Sequence, residues 1–118
     1  MENHKLVMPE HLNHYGFLFG GYLLQWVDEY AYIAATMEHP ERNFVTIGMD
    51  KVEFKKSVRK GTILKFVVEK IKQGNTSVEY EINVFRKNTE SANEDSIFST
   101  HLTMVSVDEQ GQKRILPI

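Results

Sequence analysis

Gly21-Tyr22-Leu23-Leu24-Gln25-Trp26-Val27-Asp28-Glu29-Tyr30-Ala31-Tyr32-Ile33-Ala34-Ala35-Thr36-Met37 is the stretch on which the fold turns. Its apolar residues recur at helical spacing in two stripes, Leu24, Val27, Ala31 and Ala34 on one and Tyr22, Trp26, Tyr30, Ile33 and Met37 on the other. A helix apolar along two stripes is expected to be buried nearly all round, with Gln25, Asp28, Glu29 and Tyr32 sharing a narrow polar remainder. Pro40 and the charged segment Glu38 to Arg42 end it. An acid in the middle of such a helix is the main chemical anomaly of the chain. An unpaired buried carboxylate costs several kcal/mol, so Asp28 is expected to be paired, neutralised or turned to a wet cleft. The simpler alternative puts Asp28 and Glu29 on the solvent side of an amphipathic helix.

Upstream, Glu10 to Phe19 reads as a loop holding His11, Asn13, His14 and Gly16. Phe19-Gly20-Gly21 offers no Ser, Thr, Asp or Asn as N-cap, so the first helical N–H groups lack a local acceptor and are open to a ligand oxygen. Two glycines would let a carbonyl approach the backbone, as an oxyanion site requires; a tight loop-to-helix turn explains them equally. Downstream the apolar period changes from 3.6 to 2. Four strands are expected: Asn43 to Phe54 with Val45, Ile47 and Met49 alternating, Thr62 to Lys72 with Leu64, Phe66 and Val68, Thr76 to Lys87 with Val78, Tyr80, Ile82 and Val84, and Ser96 to Val107. Gln73-Gly74-Asn75 is a hairpin turn, Asn88 to Asp95 a polar loop, and Lys5 to Met8 a candidate short strand. One long helix followed by an antiparallel meander is an α+β arrangement, a sheet curled around a helix, which cystatin-like and other cone-shaped folds also fit.

A length of 118 residues predicts one domain, residues 1–118. A net charge of −2 gives no broad footprint for nucleic acid, so an anionic ligand must be met by a local patch. The absence of cysteine excludes disulfides, thiolate metal sites and a cysteine nucleophile. Met1 to Val7 has no signal-peptide core and no apolar run reaches membrane-spanning length, so a soluble, cytoplasmic protein without a membrane partner is expected.

The segment Met8-Pro9-Glu10-His11-Leu12-Asn13-His14-Tyr15-Gly16-Phe17-Leu18-Phe19-Gly20-Gly21-Tyr22-Leu23-Leu24-Gln25-Trp26-Val27-Asp28-Glu29 resembles the acyl-CoA thioesterases of the hotdog superfamily. Their signature runs Pro, Asn, Gly, Phe-Gly-Gly and then Asp in the central helix. The resemblance continues through Thr46 to Phe54, the Arg59-Lys60-Gly61 turn, Asn75-Thr76-Ser77-Val78 and Leu102 to Asp108. It implies a hotdog fold, an antiparallel curved sheet wrapped around one long central helix, and hydrolysis of an acyl-CoA thioester without a separate cofactor, coenzyme A being part of the substrate. It also implies roles: Asp28 as general base or nucleophile, Asn13 positioning substrate or water, and the Gly21 N–H polarising the carbonyl. His11-Leu12 stands where close members often have Asp-Thr, which bears on loop geometry, and Trp26, Tyr30 and Tyr32 are bulky where small residues are common, which bears on the acyl tunnel.

Coenzyme A carries phosphates, and Lys55-Lys56-Ser57-Val58-Arg59-Lys60 is the candidate patch for them; a solvated turn is the plainer reading. By resemblance Gly20 belongs to the substrate site and Asn75, Thr76 and Ser77 to the pantetheine path, although hairpin composition accounts for the last three as well. His11 and His14 have a His-x-x-His spacing without a third ligand, so no metal site is expected. Neither a Gly-x-Ser-x-Gly elbow nor a phosphate-binding loop occurs. The resemblance further implies a homodimer joined edge to edge, Asn13 of one protomer facing Asp28 of the other, and a tetramer or hexamer built from it. A non-catalytic acyl-CoA-binding domain is the main competing function. A hotdog dehydratase is the third, disfavoured because no His lies on the helix.

Overall fold

Alternation of apolar and polar residues along the second half of the chain produces strands whose inner side chains meet one helix. A computed structural model describes residues 1–87 and 93–117. In chain order the elements are β1 (Glu2–Leu6), a 3-10 turn (Pro9–His11), α1 (Gly20–Glu38), β2 (Asn43–Phe54), β3 (Ile63–Gln73), β4 (Ser77–Lys87) and β5 (Glu94–Val107). The sheet order is β1-β3-β4-β5-β2, with every neighbouring pair antiparallel. β1 and β2 are therefore the edges. The candidate strand at Lys5 to Met8 is found two to three residues earlier, as β1. Of the expected loop Asn88 to Asp95, the first five residues lie outside the described region, while Glu94 and Asp95 belong to β5.

The expected inner faces of β3 and β4 are the observed ones: Leu64, Phe66 and Val68, then Val78, Tyr80, Ile82 and Val84, are all buried. Phe98, Thr100, Leu102 and Met104 continue this surface on β5. Against it α1 lays Leu23, Trp26, Val27, Ala31 and Ala35, at three- and four-residue spacing. The small Ala31 and Ala35 let the helix axis approach the sheet, and Phe66 fills the gap with edge contacts to Trp26 and Tyr30.

Two expectations fail at β2 and α1, for a common reason. The helix is not buried nearly all round: Gly21, Gln25, Asp28, Glu29 and Tyr32 are exposed in the single chain, and Met37 is 70% exposed. The observed core stripe draws on both sequence stripes and leaves a solvent face between them. On β2 only Phe44 is buried, while Val45 and Ile47 are 47% and 62% exposed. The ladder with β5 slips between Thr46 and Gly48 and again between Asp50 and Glu53, where Lys51 takes φ +52°. A one-residue slip turns the following side chains to the other face, so strict alternation cannot persist along β2. What results is an edge strand of twelve residues that also leaves Val52 and Phe54 exposed.

Candidate active site

The start of α1 and the middle of β2 form the walls of one groove. Phe19 occupies the N-cap position without a side-chain hydrogen bond, as the sequence predicts. The N–H groups of Tyr22 and Leu23 return to the Phe19 carbonyl, at 3.0 and 3.4 Å. Those of Gly20 and Gly21 have no acceptor among the described residues and stand at the positive end of the helix dipole. The two glycines are needed for closeness rather than for backbone freedom. A Cβ on Gly20 would lie 3.3 Å from the Phe54 ring, and one on Gly21 would lie 3.0 Å from the Phe19 ring.

Seven residues, or two turns, separate Gly21 from Asp28, so both fall on the same helix face about 10 Å apart along the axis. That face borders a groove of about 560 Å³ lined by Gly21, Leu24, Gln25, Asp28, Thr46, Ile47, Gly48 and Met49. A second hollow, lined by Phe19, Gly21, Tyr22 and Gln25, adjoins it. Asp28 thus lies at the solvent side of the helix in the protomer, as the simpler reading of the sequence has it, and it also faces a cleft and is paired. Thr46 Oγ1 donates to Asp28 Oδ1 at 2.5 Å. Thr46 precedes the first slip in β2 and lies two residues after the buried Phe44, so regular alternation keeps its hydroxyl on the helix side of the strand. Sequence reasoning singled out Asp28 but not Thr46. The two are far apart in the chain on different elements, and no spacing rule joins them.

Asn13 is the pivot of the preceding loop. Its Oδ1 accepts from the N–H groups of Tyr15 and Phe17, at 2.9 and 3.1 Å, which leaves the side-chain amide donor available. Asn13 does not line the groove of its own protomer's Asp28. His11 stabilises the same loop: Nδ1 accepts from the Met8 N–H at 2.9 Å, and the ring packs edge-on against Tyr22 and Trp26. The departure at His11 therefore supplies its own loop contacts. Trp26 and Tyr30 pack into the core and Tyr32 is exposed; none of the three lines either groove.

The basic turn lies beside the Asn13 loop. Val58, buried at its centre, accepts from the Leu18 N–H at 2.7 Å, and the Arg59 guanidinium lies over the Phe17 ring at 5.2 Å. Lys55 donates to Ser96 Oγ at 3.0 Å, Lys56 is 3.7 Å from Asp95, and all four cations are exposed. Asn75, Thr76 and Ser77 sit elsewhere, in the hairpin at the far end of the sheet, where Asn75 and Thr76 carbonyls hold the C-terminal segment and β5. Ser77 pairs with Val105 and Phe54 with Phe98, seven residues apart on β5 or roughly 23 Å. Within one protomer these residues and the basic turn do not share a site.

The thioesterase superfamily model matches residues 15–92, a span that carries Gly20, Gly21, Asp28, Thr46 and the basic turn. The chain belongs to the thioesterase superfamily. This superfamily member is 33% identical over 116 residues to an uncharacterized acyl-CoA thioester hydrolase of Buchnera aphidicola, covering 95% of the chain and 85% of the relative. It spans about 63% of the length of the first curated relatives it matches. A hexameric hotdog fold thioesterase of Campylobacter jejuni superimposes with a TM-score of 0.87 at 34% identity, over 98% of this chain and 88% of that one. An acyl-CoA hydrolase of Staphylococcus aureus in complex with coenzyme A superimposes with a TM-score of 0.91 at 28% identity, over 99% of this chain and 70% of that one. Structures of that protein include variants with an asparagine, an aspartate or a threonine changed to alanine. The fold is the hotdog fold. Among the described residues no helix is long and apolar enough to cross a membrane.

Proposed function

We propose that the chain is an acyl-CoA thioesterase, hydrolysing the thioester of an acyl-CoA to the free acid and coenzyme A, at a site that a second copy completes. The observation that carries the reading is the Thr46–Asp28 hydrogen bond in a groove entered by the Gly21 N–H. A thioester carbonyl placed at the start of α1 has its oxygen polarised by that N–H and by the helix dipole. The Asp28 carboxylate, with Oδ1 held by Thr46, takes the proton of a water whose oxygen attacks the carbonyl carbon. The C–S bond then breaks, and the proton passes to the departing coenzyme A sulfur. Direct attack by Asp28 with a transient anhydride uses the same groups and is the other form of the reaction.

Residue spacing supports the assignment. In the Staphylococcus aureus hydrolase the altered asparagine and aspartate are fifteen positions apart, as Asn13 and Asp28 are here; its altered threonine follows the aspartate by seventeen positions, against eighteen for Thr46. Asn13 is too far round the fold to line its own Asp28 groove, which supports its acting on the site of a partner. The exposed edge strand β2, with Val45, Ile47, Val52 and Phe54, is the surface proposed to pair with a second copy, since a long apolar edge is otherwise open to aggregation. Arg59, Lys55, Lys56 and Lys60, beside the Asn13 loop, are the proposed phosphate contacts of coenzyme A. A tetramer or hexamer made of two or three such dimers, in the cytoplasm, completes the proposal.

Release of free thiol from short-, medium- and long-chain acyl-CoA substrates tests the reading. Asp28→Asn is expected to lower turnover about 10²- to 10⁴-fold while coenzyme A binding, measured by calorimetry, persists. Binding without turnover by the wild-type chain across the whole panel would mark a non-catalytic acyl-CoA-binding domain instead.

A further inference from the structure

On the sheet face opposite α1, acids from two strands converge on one imidazole. His101, in the middle of β5, stands directly across from Glu81 on β4 and from Asp50 on β2. Its Nδ1 lies 3.3 Å from Glu79 Oε1 and its Nε2 lies 3.2 Å from Glu81 Oε2. One ligand atom each from Asp50, Glu79 and His101 lies within 4.8 Å of the others. The second slip in β2, just after Asp50, ends the regular ladder at this point.

Two features make this more than a solvated polar face. A neutral imidazole has one N–H and one lone pair, so with carboxylate oxygens at both nitrogens one lone pair points at an anion. A proton or a bound cation between that nitrogen and its carboxylate would satisfy the lone pair. Acids elsewhere on the sheet receive theirs from long cations, Glu94 from Lys65 and Lys87 and Asp95 from Arg86 and Lys56. Asp50, Glu79 and Glu81 have no lysine or arginine partner among the described residues, although Lys51 lines the shallow groove beside them.

We propose that Asp50, Glu79 and His101 bind a divalent transition ion of the zinc type, with Glu81 as the residue that orients His101. In this assignment Nδ1 is the ligand and Nε2, 3.2 Å from Glu81 Oε2, carries the proton, while Glu81 Oε1 accepts from Asn83 Nδ2 at 3.1 Å. This chain fixes the tautomer and the ring plane, the function that outer carboxylates serve behind metal-bound histidines. One imidazole and two carboxylates suit zinc and its neighbours better than magnesium or calcium, which favour oxygen alone. Metal–ligand distances of about 2.0–2.2 Å require the three side chains to draw together by roughly 1 Å, which their positions on the sheet surface allow. The ion ties β2 across β5 to β4. Because β2 also carries Thr46, the site braces the strand that borders the Asp28 groove, and it takes no part in the reaction. It stands independently of the hydrolase reading, and no spacing along the chain marks it, because its three ligands come from three strands.

Chelator-treated full chain titrated with zinc chloride, by calorimetry and by thermal melting, tests the site. One ion per chain and a raised melting midpoint are expected. Asp50→Asn and His101→Gln should abolish both, and Glu81→Gln should weaken binding about 10- to 100-fold with the stoichiometry kept. His14→Gln should change neither. Asp50 is exposed and its asparagine is isosteric, so circular dichroism of that variant separates lost binding from lost folding. Absence of saturable binding in the folded wild-type chain would overturn the proposal, leaving His101 as a hydrogen-bonding side chain between two glutamates. Equal binding by folded Asp50→Asn and His101→Gln would overturn it too, assigning the zinc to other histidines.

Discussion

Thr46 and Asp28 show how much chemistry a single hydroxyl can carry. A hydrogen bond to a carboxylate is worth about 1.5–3 kcal/mol, and here it also fixes which Asp28 oxygen is left free for water. Thr46→Val is therefore expected to lower kcat about 10- to 100-fold with little change in melting temperature, and Thr46→Ser to retain most activity; thiol-release kinetics of the two variants check this. Tyr80 presents the opposite case. Its hydroxyl is buried without a hydrogen-bond partner among the described residues, and burial, followed by the negative charge of Glu38, pushes its pKa up to about 12. A raised folded-state pKa means that the unfolded chain loses this proton first. Stability from Tyr80 is intact below the ordinary tyrosine range near pH 10 and falls as pH rises toward 12. Tyr80→Phe should leave stability at neutral pH unchanged or raised by about 1 kcal/mol and reduce the loss between pH 10 and 12, as read by urea unfolding.

At the scale of elements, α1 and β2 share one property: each puts apolar or reactive residues where a single protomer leaves them open. Ile47, the most exposed large apolar residue of β2, is the natural place to test the edge. Ile47→Lys should leave the fold intact, because the side chain is 62% exposed, while abolishing dimerisation and activity together; light scattering and kinetics on the same sample check it. These two elements are also where sequence reading reached its limit. β3 and β4 were legible because Leu64 to Val68 and Val78 to Val84 alternate without interruption and bury what they should. On β2 the slips at Ile47 and Lys51 break the alternation, and nothing in residue identity marks them. On α1 an apolar residue on an open face looks the same as one bound for the core, so Met37 falls on a stripe expected to be buried while it is exposed. Asp28, Asn13 and the glycines were legible through order along one segment. Thr46, and the acids around His101, were not, because their neighbours come from elements distant in the chain.

Across the whole molecule, ion pairs tie the inner strands β3, β4 and β5 together at one end of the sheet. Hydrogen bonds from Lys65 and Lys87 hold the Glu94 carboxyl below its usual range, and one from Arg86 does the same for Asp95. A depressed folded-state pKa contributes stability above the unfolded value, and that contribution is lost as pH falls through the folded one. Unfolding midpoints should therefore drop on acidification through the carboxylate range, and less steeply in Glu94→Gln. Under the proposed function, activity belongs to a larger unit than the chain, with one protomer's loop serving the other's helix. The most direct test is to co-refold Asn13→Ala and Asp28→Ala chains, each inactive alone, and assay the mixture. A mixed dimer holds one doubly altered site and one intact one, so thioesterase activity should reappear. Mixed dimers that form and remain as inactive as their parents would contradict a site shared between two copies.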